Sequence, residues 1–387
     1  MLAIRGGILH TITQGVIENG TLLIGDDGRI QEVGRSVQVP EGTPQIDAAG
    51  NLVFPGFIDA HNHSGAVEEG VGTVGEDENE MTDPITPQLR IIDAINPEDQ
   101  GLRDAVEGGV TTVWITPGSG NVIGGQGATV HTHGRTVEEM LLKGFSGMKA
   151  AFGENPKRVY GGQKKMPSTR MGSVYLLREA LTKAQGYLDK KERFADDPEK
   201  APETDLKMEA LGQVLRREVP LRCHSHRADD IRSAVRIGDE FGIRIVIDHG
   251  MEAHKVADLL AERGIPVACG PGITTRVKVE LRDKTTATPA LLAAAGVKVA
   301  IMTDHPVIPV ESIVLCAGLA VAAGLDEEEA FRALTVTPAE ITGVADQTGS
   351  LEPGKLADIA IWDGHPFDAR SHVLYTLING QVVYSRD

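Results

Sequence analysis

The chain has 387 residues, with 38 lysines and arginines against 55 aspartates and glutamates, for a formal net charge of −17. The acidity is spread without long blocks, and basic residues cluster only in short runs such as Lys164-Lys165 and Lys190-Lys191, which argues against nucleic acid or an anionic membrane as a partner. Cys223, Cys269 and Cys316 lie too far apart to make a disulfide framework or a Cys-x-x-Cys metal knuckle. The opening MLAIRGGILHTIT lacks the unbroken apolar core of a secretory signal. No window reaches the apolar length that spans a bilayer, so a cytoplasmic location is expected.

Residues 1–50 read as short strands, LAIRGGILHT, GVIENGTLLIGDDGRIQEVG and TPQIDAAG, punctuated by Gly, Asn-Gly and Asp-Gly turns. The same alternation returns only in LADIAIWDG and VLYTLINGQVVY. Neither end is long enough to bury a sheet alone, so both are expected to combine in one small discontinuous β-sandwich, residues 1–50 plus 346–387. Between them, over 51–345, β-branched apolar runs alternate with helical stretches. The candidate strands are LVFPGFIDAH, VTTVWITPG, ATVHT, GMKAAFG, VPLRCHSH, IRIVIDHG, IPVACG and VKVAIMTDH. Eight strand-helix units over this length favour an α/β fold, a closed (β/α)8 TIM barrel. A doubly wound open sheet would need a Gly-rich phosphate loop after its first strand; GNVIGGQG follows the second and lacks the G-x-G-x-x-G spacing. Two long insertions, Ser64 to Asp104 and the charged helical stretch Leu181 to Glu218, follow strand ends and are expected to form walls or lids.

The chemistry concentrates at the ends of these strands. The first ends in Asp59-Ala60-His61-Asn62-His63; strand alternation puts Asp59, His61 and His63 on one face. One His-x-His is a weak signal. Later strands, however, end in His224 and His226, in His249, and in Asp304-His305, and the fourth contains Lys149. Imidazoles and carboxylates converging at the C-terminal mouth of a barrel have the composition of a catalytic divalent-metal site. His131 and His133 form a second His-x-His on the third strand and are ranked below these as ligands, since the other strands already supply a full set.

With those residues in view, the chain resembles the amidohydrolase superfamily over nearly all its length. VFPGFIDAHNH resembles that superfamily's first-strand motif, and TGSLEPGKLADIAIWDG followed by VLYTLINGQVVY resembles its returning β-sandwich tail. The nearest branch holds imidazolonepropionase-like proteins, isoaspartyl dipeptidases and Xaa-Arg or prolidase-type dipeptidases. The resemblance implies a metal-dependent hydrolase that cleaves an amide or other C–N bond of a small molecule with a metal-bound hydroxide. It implies two divalent ions, Zn²⁺ above all, with Mn²⁺ or Fe²⁺ also suited. His61 and His63 would hold the more buried ion, and His224 and His249 the second. Lys149, as a carbamate, would bridge them, with Glu154 as the rival bridging ligand. Asp304 would ligate the first ion and carry the proton.

His226, Arg158 and Tyr160 are candidates for substrate contact, Arg158 because a guanidinium pairs bidentately with a carboxylate. Relatives of this kind often form homo-oligomers. Three other readings compete. Mononuclear imidazolonepropionase or deaminase chemistry expects an acidic or amide residue three positions after the fifth-strand histidine, where Arg227 stands. Sugar deacetylation expects a glutamate on the third strand, and ATVHTHG has none. A catalytically silent assembly scaffold would have lost ligands, whereas every expected position is filled.

Overall fold

The computed structural model describes residues 1–386, and its first strands form where the alternation places them. β1 (Leu2–His10), β2 (Val16–Ile24), β3 (Ile30–Gly34), β4 (Gln45–Asp47) and β5 (Leu52–Pro55) turn Ile4, Leu9, Leu22, Ile24, Ile30 and Val53 into a shared apolar core. The chain changes sheet at Gly56. Its N–H donates to the Asp358 carbonyl at 2.8 Å, whereas that of Phe57 donates to the Gly109 carbonyl at 3.0 Å, beside the barrel. A Cβ at Gly56 would run into the Thr111 side chain, so the crossing needs glycine. The single strand expected over LVFPGFIDAH is therefore two, β5 in the terminal sheet and β6 (Phe57–Asn62) in the barrel.

β6 is followed around the barrel, in chain order, by β7 (Val110–Ile115), β8 (Ile123–His131), β9 (Leu141–Ala151), β10 (Leu221–Ser225), β11 (Ile245–His249), β12 (Val267–Cys269) and β13 (Val299–Ile301). Past the end of β13 and at the end of β6, the Asp304 N–H donates to the His61 carbonyl at 3.1 Å and the His63 N–H to the His305 carbonyl at 3.0 Å, which brings first and last strands together. β14 (Ile359–Trp362), β15 (Val373–Ile378) and β16 (Gln381–Ser385) return to the terminal sheet, whose order is β16-β15-β14-β5-β1-β2-β3 with β4 on β1. Both chain ends thus build one sheet, as expected.

The barrel departs from the all-parallel expectation at its third strand. β8 pairs antiparallel with both β7 and β9. Residues 116–122, all that separate β7 from β8, are too few for the crossover that a parallel neighbour requires. The strand also starts earlier than ATVHT suggested, because IGGQG is its first half rather than a loop.

Helices α1 (Gln100–Glu107), α2 (Val137–Met140), α3 (Glu154–Gly162), α4 (Arg170–Arg193), α5 (Leu206–Leu215) and α6 (Ala228–Phe241) cover the flank of the first six strands. Of the two insertions, the Ser64–Asp104 segment lies over the barrel mouth: Asn79 accepts from the Gly120 N–H at 2.7 Å and Thr86 donates to the Ile123 carbonyl at 2.9 Å. Leu181–Glu218 is not a lid. Leu177, Ala180, Leu181 and Ala184 of α4 and Ala210, Leu211 and Val214 of α5 are buried with Met148, Leu221 and Ile245 of the barrel, so this helical pair is part of the outer layer. Among the described residues no helix is long and apolar enough to cross a membrane.

Candidate metal centre

The site stands at the mouth formed by the ends of β6, β9, β10 and β11 and the segment after β13. Ala60 lies inside the barrel with Val246, Ala268 and Ala300, so regular alternation would turn His61 outward. The ladder between β6 and β7 is irregular from Asp59 to Asn62, however, and His61 reaches the interior nonetheless. Asp59 does not join it. Its carboxylate accepts from the Thr303 hydroxyl and from the Thr303 and His61 N–H groups, which ties β6 to the end of β13. Burial pushes its carboxyl up to about 7 against those hydrogen bonds. The expectation that Asp59 shares a face with His61 and His63 is thus overturned by one strand irregularity.

Around the mouth the donors lie close. Lys149 Nζ is 3.2 Å from His61 Nε2, with both side chains fully buried. Asp304 Oδ1 lies 3.5 Å from His61 Nε2 and 3.3 Å from His63 Nε2, while Oδ2 is 4.0 Å from His249 Nδ1. His63 Nδ1 is fixed by the Thr116 carbonyl at 2.7 Å, His249 Nδ1 by the Gly270 carbonyl at 3.1 Å, and His224 Nδ1 by the Ser119 hydroxyl at 2.8 Å. Ring centroids of His224, His226 and His249 are 4.1–4.8 Å apart. His249 and Asp304 adopt left-handed φ values of 74° and 57°, costly for side-chain-bearing residues and common where a site dictates the backbone.

These atoms fit divalent cations. Two groups hold ligand atoms within 4.8 Å of one another, His224–His226–His249 and His61–His249–Asp304. His249 Nε2 and both ring nitrogens of His226 are buried without a hydrogen-bond partner, a state that costs free energy unless something occupies them. Burial, foremost, and then neighbouring positive groups hold His61, His224, His226 and His249 well below the usual histidine range. Neutral imidazoles present the lone pairs a cation needs. Burial also lowers Lys149 to about 8, opposed by Asp248 and Asp304.

The other candidates fall elsewhere. His226, a candidate for substrate contact, stays at the mouth, within the three-histidine group. Glu154 starts α3 and makes no hydrogen bond to the centre; the next residue, Asn155, does, its Nδ2 lying 3.4 Å from His224 Nε2. Arg158 is exposed on α3. Tyr160 is buried, its hydroxyl donating to Asn121 Oδ1 at 2.5 Å, so it braces the mouth loops rather than facing substrate. His131 and His133 end an antiparallel strand and so lie away from the mouth: His131 Nε2 meets Asp358 Oδ2 at 3.1 Å beside the terminal sheet, and His133 is exposed.

Sequence reasoning missed the support beneath these candidate ligands. Arg222 donates to Asp248 Oδ1 from Nη2 at 2.6 Å and Nε at 3.1 Å, and to the Ala60 carbonyl at 2.8 Å. Its guanidinium lies 3.7 Å from the Trp114 ring. Asp248 Oδ2 approaches His61 Nδ1 at 3.3 Å without hydrogen-bond alignment. Carboxylates behind metal-binding histidines orient the ring and raise its basicity. Asp248 adjoins His249 in the sequence, the one local signal of its place; nothing in the sequence pairs it with Arg222 or His61.

Comparison with known proteins identifies the family. Residues 191–383 match the amidohydrolase family model. A crystal structure of an amidohydrolase from Thermotoga maritima is 45% identical, covers all of both chains and superposes with a TM-score of 0.97. The amidohydrolase tasK of Hapsidospora irregularis is 32% identical over 89% of this chain, which spans only 37% of that longer protein. Imidazolonepropionase of Thermoplasma acidophilum is 24% identical over 96% of this chain and 90% of its own. The chain belongs to the amidohydrolase family, hydrolases that act on C–N bonds.

Proposed function

We propose that the protein hydrolyses an amide bond of a small molecule (a dipeptide, an N-acyl amino acid or a cyclic amide) with two divalent cations, Zn²⁺ being the expected ion and Mn²⁺ or Fe²⁺ suited to the same donors. The carrying observation is the convergence of five imidazoles, Lys149 and Asp304 on one buried mouth, with ring nitrogens left unpartnered. His61, His63 and Asp304 would hold one cation. His224 and His249, with His226 in reach, would hold the other. Lys149 lies between the groups; as an ammonium it would repel cations, and as a carbamate it would bridge them. Cations bound there supply a strongly acidified water and a polarised scissile carbonyl.

The chain's own residues manage position and protons. With Oδ1 toward His61 and His63, Asp304 keeps Oδ2 free to take the proton of the attacking water and pass it to the leaving amine. Thr116, Ser119 and Gly270 hold the Nδ1 atoms of His63, His224 and His249, which turns each Nε2 toward the centre; that of His224 meets Asn155 Nδ2 at 3.4 Å, a contact that a cation on His224 would displace. The mononuclear deaminase-like alternative wants a proton carrier where Arg227 stands. Arg227 instead occupies the N-cap position of α6 and pairs with Asp229 at 2.9 Å. Metal analysis of the purified protein should return about two transition-metal ions per chain. In a screen of dipeptides, N-acyl amino acids and cyclic amides, Asp304→Asn should lower kcat about 10²–10⁴-fold while keeping the unfolding transition. Full activity in that variant would refute the proton role; a chain that never takes up metal would refute the reading.

A further inference from the structure

Beyond β12 the chain crosses the mouth as a loop, residues 270–286, and one stretch of it has a distinctive sidedness. Val277 and Val279 are 76% and 63% exposed, whereas Glu280 is 2% exposed and Lys278 is half-buried between the valines. The loop is pinned beside Lys278. Glu280 Oε1 accepts from the Glu154 N–H at 2.6 Å, at the start of α3, and lies 3.9 Å from Arg170 Nη2. With Glu280 anchored, the Lys278 ammonium points inward and donates to Asn155 Oδ1 at 3.3 Å. The other end of the Asn155 amide lies 3.4 Å from His224 Nε2. Lys278 is therefore one side chain removed from the histidines, and its charge acts on His224, His226 and His249.

That placement lacks a counter-ion. Among the described residues no carboxylate lies within ion-pair distance of Lys278 Nζ: Glu280, which feels the Lys278 charge, is taken up by the Glu154 N–H and Arg170, Asp304 is engaged with His61 and His63, and Asp248 with Arg222. A fixed ammonium beside a centre built for cations is unfavourable until an anion arrives.

We propose that Lys278, oriented by Asn155, binds a carboxylate of the substrate, so that the preferred substrates are dipeptides or N-acyl amino acids with a free carboxylate rather than neutral cyclic amides. The proposal rests on the hydrolytic reading above. Lys278 would hold the acid portion on the His224 side, leaving the scissile bond over the cluster. Asn155 acts through Lys278 and is a positioning residue.

The test compares a panel of N-acetyl amino acids with the corresponding carboxamides in the metal-loaded enzyme. Lys278→Met should reduce the acid-over-amide preference in kcat/KM about 10- to 100-fold, as loss of a charge-assisted hydrogen bond does, chiefly through KM. Lys278→Arg should restore most of it. Calorimetric titration of the same panel, with Lys278 and Lys278→Met compared in the Asp304→Asn background, reads binding without turnover. Acids bound better than amides only when Lys278 is present would support the subsite. Equal binding of acids and amides, acid binding that survives Lys278→Met, or no binding of any acid would overturn it. Acid binding that depends on Lys278 without hydrolysis by the parent enzyme would count against the hydrolytic reading alone.

Discussion

Replacing Arg222 by Met tests whether the layer beneath the candidate ligands holds them in place. The substitution deletes two hydrogen bonds to Asp248, at 2.6 and 3.1 Å, one to the Ala60 carbonyl at 2.8 Å, and the stacking on Trp114 at 3.7 Å. Both Arg222 and Asp248 are wholly buried, so Asp248 would be left as an uncompensated interior carboxylate. Truncating one partner of such a pair costs about 3–5 kcal/mol. His61 Nδ1, 3.3 Å from the other Asp248 oxygen, offers partial compensation, which places the expected loss near the lower end, about 3 kcal/mol. Adding Asp248→Asn removes the stranded charge, and the double variant should be more stable than Arg222→Met by about 1 kcal/mol or more. Denaturant unfolding of chelator-treated protein, followed by intrinsic fluorescence, avoids the mass-action contribution of bound metal. A loss under about 1 kcal/mol for Arg222→Met, or a double variant no better than the sum of the two singles, would refute the ion-pair argument.

Two further predictions concern the bridge and the mouth loop. Lys149→Met should lower metal content from about two ions per chain to one or fewer, while Glu154→Gln keeps both; elemental analysis giving the opposite pattern would move the bridging role to Glu154. Burial raises Glu280 from its ordinary value of 4.5 to about 7, against the hydrogen bond from Glu154. The folded state then holds a proton that the unfolded state has lost between those values, so the contribution of Glu280 to stability declines as pH rises from about 4.5 to 7. Glu280→Gln should therefore gain stability relative to the parent as pH increases over that window; unfolding curves that stay parallel across it would refute this.

Much of the site was legible from local pattern. His61, His63, His224, His249 and Asp304 each end an apolar run, and a closed barrel leaves strand ends nowhere to go except a common mouth. The two-ended sheet was legible for a similar reason: neither terminal set of strands could bury its apolar face alone. What failed did so where a single backbone detail decides direction. A short connection after β7 reverses β8, and with it the end of the barrel at which His131 and His133 lie. One irregularity in β6 separates Asp59 from the histidines that its spacing joins to it.

The primary structure by itself indicated which candidate donors follow which strands, and the discontinuous terminal sheet, because hydrophobic periodicity and strand-end chemistry are written over short distances. Tertiary folding alone decided that Asp248 reaches His61 and Arg222, that Asn155 rather than Glu154 faces His224, and that Lys278 meets Asn155 across 123 positions of chain. Such contacts join residues with no periodic or motif relation to one another, and closure of the barrel is what brings them within hydrogen-bonding distance.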